Sequence, residues 1–195
     1  MGFWKVLLVL LVIAALIYFP IRGVYSSGKQ MMAGARAMNE AVKNNDLAAI
    51  KKALADIKKA DNSLNLSLNF LVWMRIIPFA GDFYGDAAHF AKASQYELQA
   101  AQVLVNSLDP HKDELGLNGQ PTPGQDKIAQ FVKILNKVLP QIDKVEPQLK
   151  KASEEVASID VNKYPETFGQ YRLRSQVETG KKFITGAHYA VTQAK

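Results

Sequence analysis

The sequence predicts an all-α protein: an N-terminal transmembrane helix followed by an elongated antiparallel helical bundle. Three observations lead there. Residues 6–19 are unbroken apolar sequence. Beyond them, apolar residues recur at helical spacing, and no stretch alternates with the period of two that marks a strand. Long periodic segments are joined by short corners, which favours antiparallel neighbours.

The first element is "FWKVLLVLLVIAALIYFP". From Phe3 to Ile21 a helix would be about 28 Å long at ~1.5 Å per residue, close to the ~30 Å hydrocarbon core of a bilayer. Lys5 can snorkel to headgroups, and Trp4 and Tyr18 fall where interfacial aromatics belong. The nearest small-x-small cleavage patterns, at Ala33 to Ala37, lie well past the apolar run. An uncleaved signal anchor over residues 1–22 is therefore expected rather than a cleaved signal peptide. Residues 23–195 form the bundle or stalk. Pro20 and Gly23 are candidate kink points at the membrane surface.

The helix is expected to continue past Met31 and Met38 to "KNND", where Asn45 or Asp46 caps the next one. That second helix carries Leu47, Ile50, Leu54, Ile57, Leu64, Leu68 and Leu71 as an apolar stripe, interrupted by Asp61. It ends in "LVWMRIIPFAGDFYGDAAHF". Pro78 disfavours helix at Ile77, Gly81 frees the backbone for a turn, and Asp82 can start the next helix. Trp73, Arg75, Pro78, Gly81 and Asp82 are thus read as a structural corner, with Trp73 and Phe79 plugging the bundle end. A hydrophobic lid or a second membrane contact is the competing reading, and the segment is too short to span.

A third helix is expected from about Asp82 to Leu108, with Phe83, Ala87, Phe90, Leu98, Ala101, Val105 and Leu108 inward. The Gly- and Pro-rich "DPHKDELGLNGQPTPGQ" is a loop. A fourth, curved and continuous helix is expected in preference to two separate helices. Ile128, Leu135, Ile142, Leu149 and Val156 are seven apart, as are Phe131, Val138, Val145, Ala152 and Ile159, an a/d seam over five heptads. Pro140 and Pro147 share heptad position f, away from the seam, where proline bends a helix without crossing its packed face. After "VNKYPETFG" a last helix carries Leu173, Val177, Ile184, Ala187 and Val191. It meets no cap or breaker before Lys195, so a longer protein is expected.

Chemistry is sparse. The absence of cysteine excludes disulfides, thiolate metal sites and a cysteine nucleophile. Asp82, Asp86 and His89 share one face if the helix starts at Asp82, so they could hold a divalent metal. Capping by Asp82 and a favourable dipole interaction of Asp86 explain the same residues without one. No HExxH, Walker, GxGxxG or GxSxG motif occurs, and His111 and His188 have no triad partners nearby. No catalytic residue, cofactor or metal is assigned, and no enzymatic activity is expected. The net charge of +6 and the Lys51-Lys52 and Lys58-Lys59 pairs fit a solvated helix face. They would also suit lipid headgroups or an anionic surface polymer. Without interleaved aromatics, nucleic acid is not an expected partner.

The order of a membrane helix, "AVKNNDLAAIKKALADIKKA" and "WMRIIPFAGDFYGDAAHFAKAS" resembles the N-terminal region of bacterial membrane-anchored proteins carrying domain of unknown function 4012. In those, a DL-A-A helix leads to a W-x-R-x-x-P-x-x-G corner, matched here by Trp73, Arg75, Pro78 and Gly81. "LKKASEEVASIDVNKYPETFG" resembles the next helix and corner. The name-giving domain is not evident in these 195 residues, so no functional residue of it carries over. The resemblance implies a single-pass bacterial envelope protein with its C-terminal part outside the cytoplasm, against the local positive-inside count of Arg22, Lys29 and Arg36. The expected function is a non-enzymatic stalk or scaffold that presents a downstream domain or an envelope partner. A ligand-sensing extracytoplasmic bundle of a membrane receptor is the alternative.

Overall fold

The computed structural model describes residues 3–78, 80–119, 127–167 and 169–193. In the first and fourth helices the side chains of Phe3, Lys5, Val6, Leu8, Val9, Leu10, Ile13, Lys127, Ile128 and Phe131 also fall outside the described set. Six α-helices follow one another: α1 (Phe3–Lys43), α2 (Leu47–Phe70), α3 (Ala80–Leu108), α4 (Lys127–Val138), α5 (Ile142–Ala157) and α6 (Leu173–Gln193). No strand forms among the described residues; Asp46 and Asn118 make one antiparallel bridge. The architecture is an all-α bundle in which α3 is central, with α2 on one side and α5 on another, and α6 packed on α5.

Helix α1 is continuous over 41 residues and passes through Pro20 and Gly23 without a break. Its length is about 60 Å at ~1.5 Å per residue. The helix packs on α2 through a repeat of small residues. Pro20, Ser27, Gly34 and Ala41 are seven apart and all buried. On α2, which runs back along it, Ala53, Ala60 and Ser67 are also seven apart and buried. A Cβ on Gly34 would stand 2.5 Å from Ile57 Cγ1, and one on Gly23 would collide with Ser67 Oγ. Absent side chains let the two backbones approach closely.

The distal turn is closed by two devices. Asn45 adopts φ 50, which ends α1, and Asp46 caps α2 by accepting a 2.9 Å bond from the Ala49 amide. The loop after α3 then folds over this turn. Leu115 and Leu117 are buried against Leu47, with Ile50, Val105, Leu108 and Ile134 around them. The Leu47 amide donates to the Leu117 carbonyl at 2.9 Å, and Gln130 Nε2 donates to the Leu115 carbonyl at 2.7 Å. A segment read as plain loop therefore contributes two core leucines.

The expected single fourth helix is corrected at Pro140. The chain tightens into a 3₁₀ turn at Leu139–Gln141 between α4 and α5, whereas Pro147 sits inside α5. Proline has no amide hydrogen to donate and clashes with the carbonyl four residues back. Three residues at 3.0 per turn rotate the following helix by roughly 60° relative to an α-helix. Among the described residues the seam is buried from Pro140 onward, at Ile142, Val145, Leu149, Ala152 and Val156 of α5 and at Ile159 just beyond it. In α4, Leu135 is 39% exposed, and Ile134 packs inward instead. Ile128 and Phe131, the first pair of the seam, lie outside the described side chains.

The α5–α6 half has its own core of Ala93, Ala152, Val156, Ile159, Tyr164 and Ile184. Lys181 of α6 donates to the Ala157 and Ile159 carbonyls at 2.9 and 2.7 Å. A cation there satisfies the orphan carbonyls at the end of α5 and complements its dipole.

Among the described residues no helix is long and apolar enough to cross a membrane. Within the segment assigned to the signal anchor, seven side chains between Phe3 and Ile13 are not among those described.

Candidate functional site

Two concavities flank the α2–α3 corner. The first is polar, about 530 Å³, and is lined by Arg75, Asp82, Asp86, His89, Ser158 and Lys163 among others. Asp86 is buried in it. Its Oδ2 accepts a 2.7 Å bond from the Tyr164 hydroxyl and an ion pair from Lys163 Nζ at 2.8 Å. Tyr164 is held far above the ordinary tyrosine range, first by burial and then by its hydrogen bond to, and the charge of, Asp86. Phe83 meets the Tyr164 ring edge-on at 5.1 Å, and Arg174 Nε donates to the Tyr164 carbonyl at 2.8 Å. The cluster pins the start of α3 to the α5–α6 connection.

His89 lies one turn further along α3, with Nδ1 2.7 Å from Glu155 Oε2; Lys92 stands 3.8 Å from the other carboxylate oxygen. The sequence trio Asp82, Asp86 and His89 is thus split between different partners. Asp86 faces Lys163 and Tyr164, His89 faces Glu155, and Asp82 is exposed in the first turn of α3. Among the described residues no three His, Asp or Glu side chains are placed to hold a metal ion.

The corner residues are arranged as follows. Val72–Ile76 form a 3₁₀ turn carrying Trp73 and Arg75, and Ile77 is extended at φ −91, ψ 122 before Pro78. A Cβ on Gly81 would stand 2.7 Å from the Arg75 carbonyl oxygen. Close backbone approach, rather than a positive φ, is what requires glycine there. Trp73 does not plug the bundle: it is 39% exposed and lies outside the core, on the second concavity. Phe79, its expected companion, lies outside the described residues.

That second concavity is an apolar groove of about 510 Å³ between the lower part of α1 (Val12, Leu16, Phe19) and the end of α2 with its corner (Leu66, Phe70, Trp73). Sequence reasoning recognised the apolar character of both walls but not that they face each other. The small-residue heptad from Pro20 to Ala41 is present in the sequence, but the register appears only when Gly23 meets Ser67 and Gly34 meets Ile57 across the two helices.

Two acids, one on α2 and one on α3, are withdrawn from water, Asp61 fully and Glu97 partly. Asp61 of α2 is 1% exposed; its Oδ2 accepts from Asn65 at 3.1 Å, while Oδ1 has no hydrogen-bond partner among the described residues. Burial raises its pKa, and Ser94 and Gln95 of α3 pull it back. Glu97 of α3 is pushed up to about 7 by burial.

The Lys51 side chain pairs with Asp109 at 3.0 Å and Lys58 reaches Gln102 at 3.4 Å, so half of the lysine ridge is turned toward α3 and the turn that follows it. Lys52 and Lys59 are exposed. No family model, curated protein or solved structure matches this chain.

Proposed function

We propose that this protein is a non-enzymatic, membrane-anchored stalk of the bacterial envelope: the first half of α1 crosses the bilayer, and the bundle presents a further domain or partner on the outer side. The observation that supports this most is the division of labour along one helix. From Trp4 to Ile21 the described apolar side chains of α1 are mostly exposed, whereas beyond Gly23 the same helix is locked against α2 through Ser27, Gly34 and Ala41. Exposed apolar side chains on this scale cost ~25 cal/mol per Å² in water and are stabilising in lipid. An uninterrupted helix also couples the anchor rigidly to the bundle, as a spacer requires.

Alkaline carbonate extraction of membranes and a reporter fused after Lys195 test the reading together. The chain should remain in the membrane fraction, and the reporter should be active only outside the cytoplasm. Release by carbonate, or cytoplasmic reporter activity, refutes it. The polar cleft at Arg75, Asp86 and Lys163 favours the second reading, a ligand-sensing ectodomain. That reading requires small carboxylates or phosphates to raise the melting temperature, with the gain lost in Lys163→Met.

A further inference from the structure

We infer that the α2–α3 corner, from Phe70 to Ile77, is a second membrane contact that sits in the leaflet beside α1. The inference rests on the proposed anchoring by α1. Register along the α1–α2 pair sets the depth. Ser67 meets Gly23 and Ile57 meets Gly34, so the chain beyond Ser67 descends past Pro20 into the apolar run. Trp73 shares a groove with Val12, Ala15 and Leu16. Leu16 is about 7–8 Å below Ile21 at ~1.5 Å per residue, within the ~5–10 Å at which interfacial apolar faces lie. If α1 spans the bilayer with residues 3–21, whatever packs on its residues 12–20 is in the bilayer too.

The corner is built for that environment. Leu71 is buried and ties the corner to the bundle, while most of its other apolar side chains point outward: Ile76 is 85% exposed, and Phe70, Val72 and Ile77 are exposed as well. Lipid demands that backbone donors be satisfied internally. Here the Leu71, Met74, Ile77 and Gly81 amides bond to Leu68, Leu71, Met74 and Ile77 carbonyls at 2.9 to 3.0 Å, and Pro78 has no amide hydrogen. Arg75 is exposed on the side of the polar cleft, so its stem can lie along acyl chains while its guanidinium reaches headgroup phosphates. Trp73 supplies an interfacial aromatic. The groove beside it, apolar on both walls, opens to the lipid and is filled by acyl chains.

The chain has two tryptophans, Trp4 and Trp73, which separate the anchor from the corner. Full-length Trp4→Phe and Trp73→Phe are reconstituted into vesicles whose phosphatidylcholine is brominated near the headgroup end of its acyl chains. Trp73, alone in the first variant, should emit to the blue and lose about half its intensity to shallow bromines, as expected for an interfacial ring. Adding Ile76→Asp should remove most of that quenching without changing the helical circular dichroism. If Trp4 is quenched and the protein resists carbonate while Trp73 stays red and unquenched, the corner is in water and the inference falls alone. If Trp73 is blue-shifted but unquenched and the protein is a dimer in detergent, a second copy covers the corner and the inference falls likewise. If Trp4 is unquenched and carbonate releases the chain, the anchor itself falls and takes the corner with it.

Discussion

Gly34→Ala should destabilise this protein, although alanine is the better helix former. The new methyl would lie 2.5 Å from Ile57 Cγ1, 3.4 Å from its Cδ1 and 3.6 Å from the Ala53 carbonyl oxygen. Carbon atoms settle at about 3.5–4.0 Å, so α1 and α2 must part locally or Ile57 must leave its rotamer. Such overpacking costs ~1–3 kcal/mol, against the ~1 kcal/mol that alanine gains over glycine in a helix. The net expectation is a loss of about 1 kcal/mol. Ile57→Ala removes both nearby carbons. In that background the propensity gain is unopposed and Gly34→Ala should stabilise by about 1 kcal/mol, giving a coupling near 2 kcal/mol, within the range for touching residues. Urea unfolding of the four full-length proteins in mild detergent, followed by far-ultraviolet circular dichroism, measures the cycle. If Gly34→Ala has the same sign and size in both backgrounds, the helices are not in close contact and the small-residue repeat does not set their register.

Three further outcomes are expected. Tyr164→Phe removes the 2.7 Å bond to the buried Asp86 carboxylate and should cost about 1.5–3 kcal/mol in the same unfolding assay; a neutral effect would show that Lys163 alone satisfies Asp86. Gly81→Ala forces a methyl to within 2.7 Å of the Arg75 carbonyl oxygen, a backbone atom that cannot rotate away, and should cost about 1–3 kcal/mol. Glu97 titrates near 7 when folded and near 4.5 when unfolded. Between those values the folded state holds more protons, so its contribution to stability is greatest below pH 4.5 and is lost as pH rises through about 7. Asp61 contributes with the same sign. Glu97→Gln should flatten the profile over that window, and an unchanged slope in unfolding free energy against pH would dismiss the assignment.

Much of the secondary structure was legible because its causes are local. Asp46 is a good cap wherever it occurs, Pro78 forces Ile77 out of the helical region, and the apolar residues of α5 and α6 keep one period along their whole length. The reading went astray where phase or environment depends on something distant. Pro140 lies on the outer face of the heptad pattern, yet its 3₁₀ turn rotates α4 away from the seam and leaves Leu135 outside. Leu115 and Leu117 look like loop leucines until they meet Leu47, nearly seventy positions earlier in the chain. Asp86 reads as a residue that favours a helix start, and only the fold brings Tyr164 and Lys163 to it from the α5–α6 connection.

The amino-acid order by itself determined that the chain is helical, where most helices begin and end, and that its apolar residues fall into one dense block and several stripes, because backbone sterics and side-chain periodicity act over a few residues. Only the tertiary structure decided that small residues on α1 and α2 bring their backbones together, and that Trp73 faces outward beside Leu16 rather than inward. Which surface a helix buries depends on the shape of what arrives from elsewhere in the chain, and close packing distinguishes a methyl from a hydrogen at that distance.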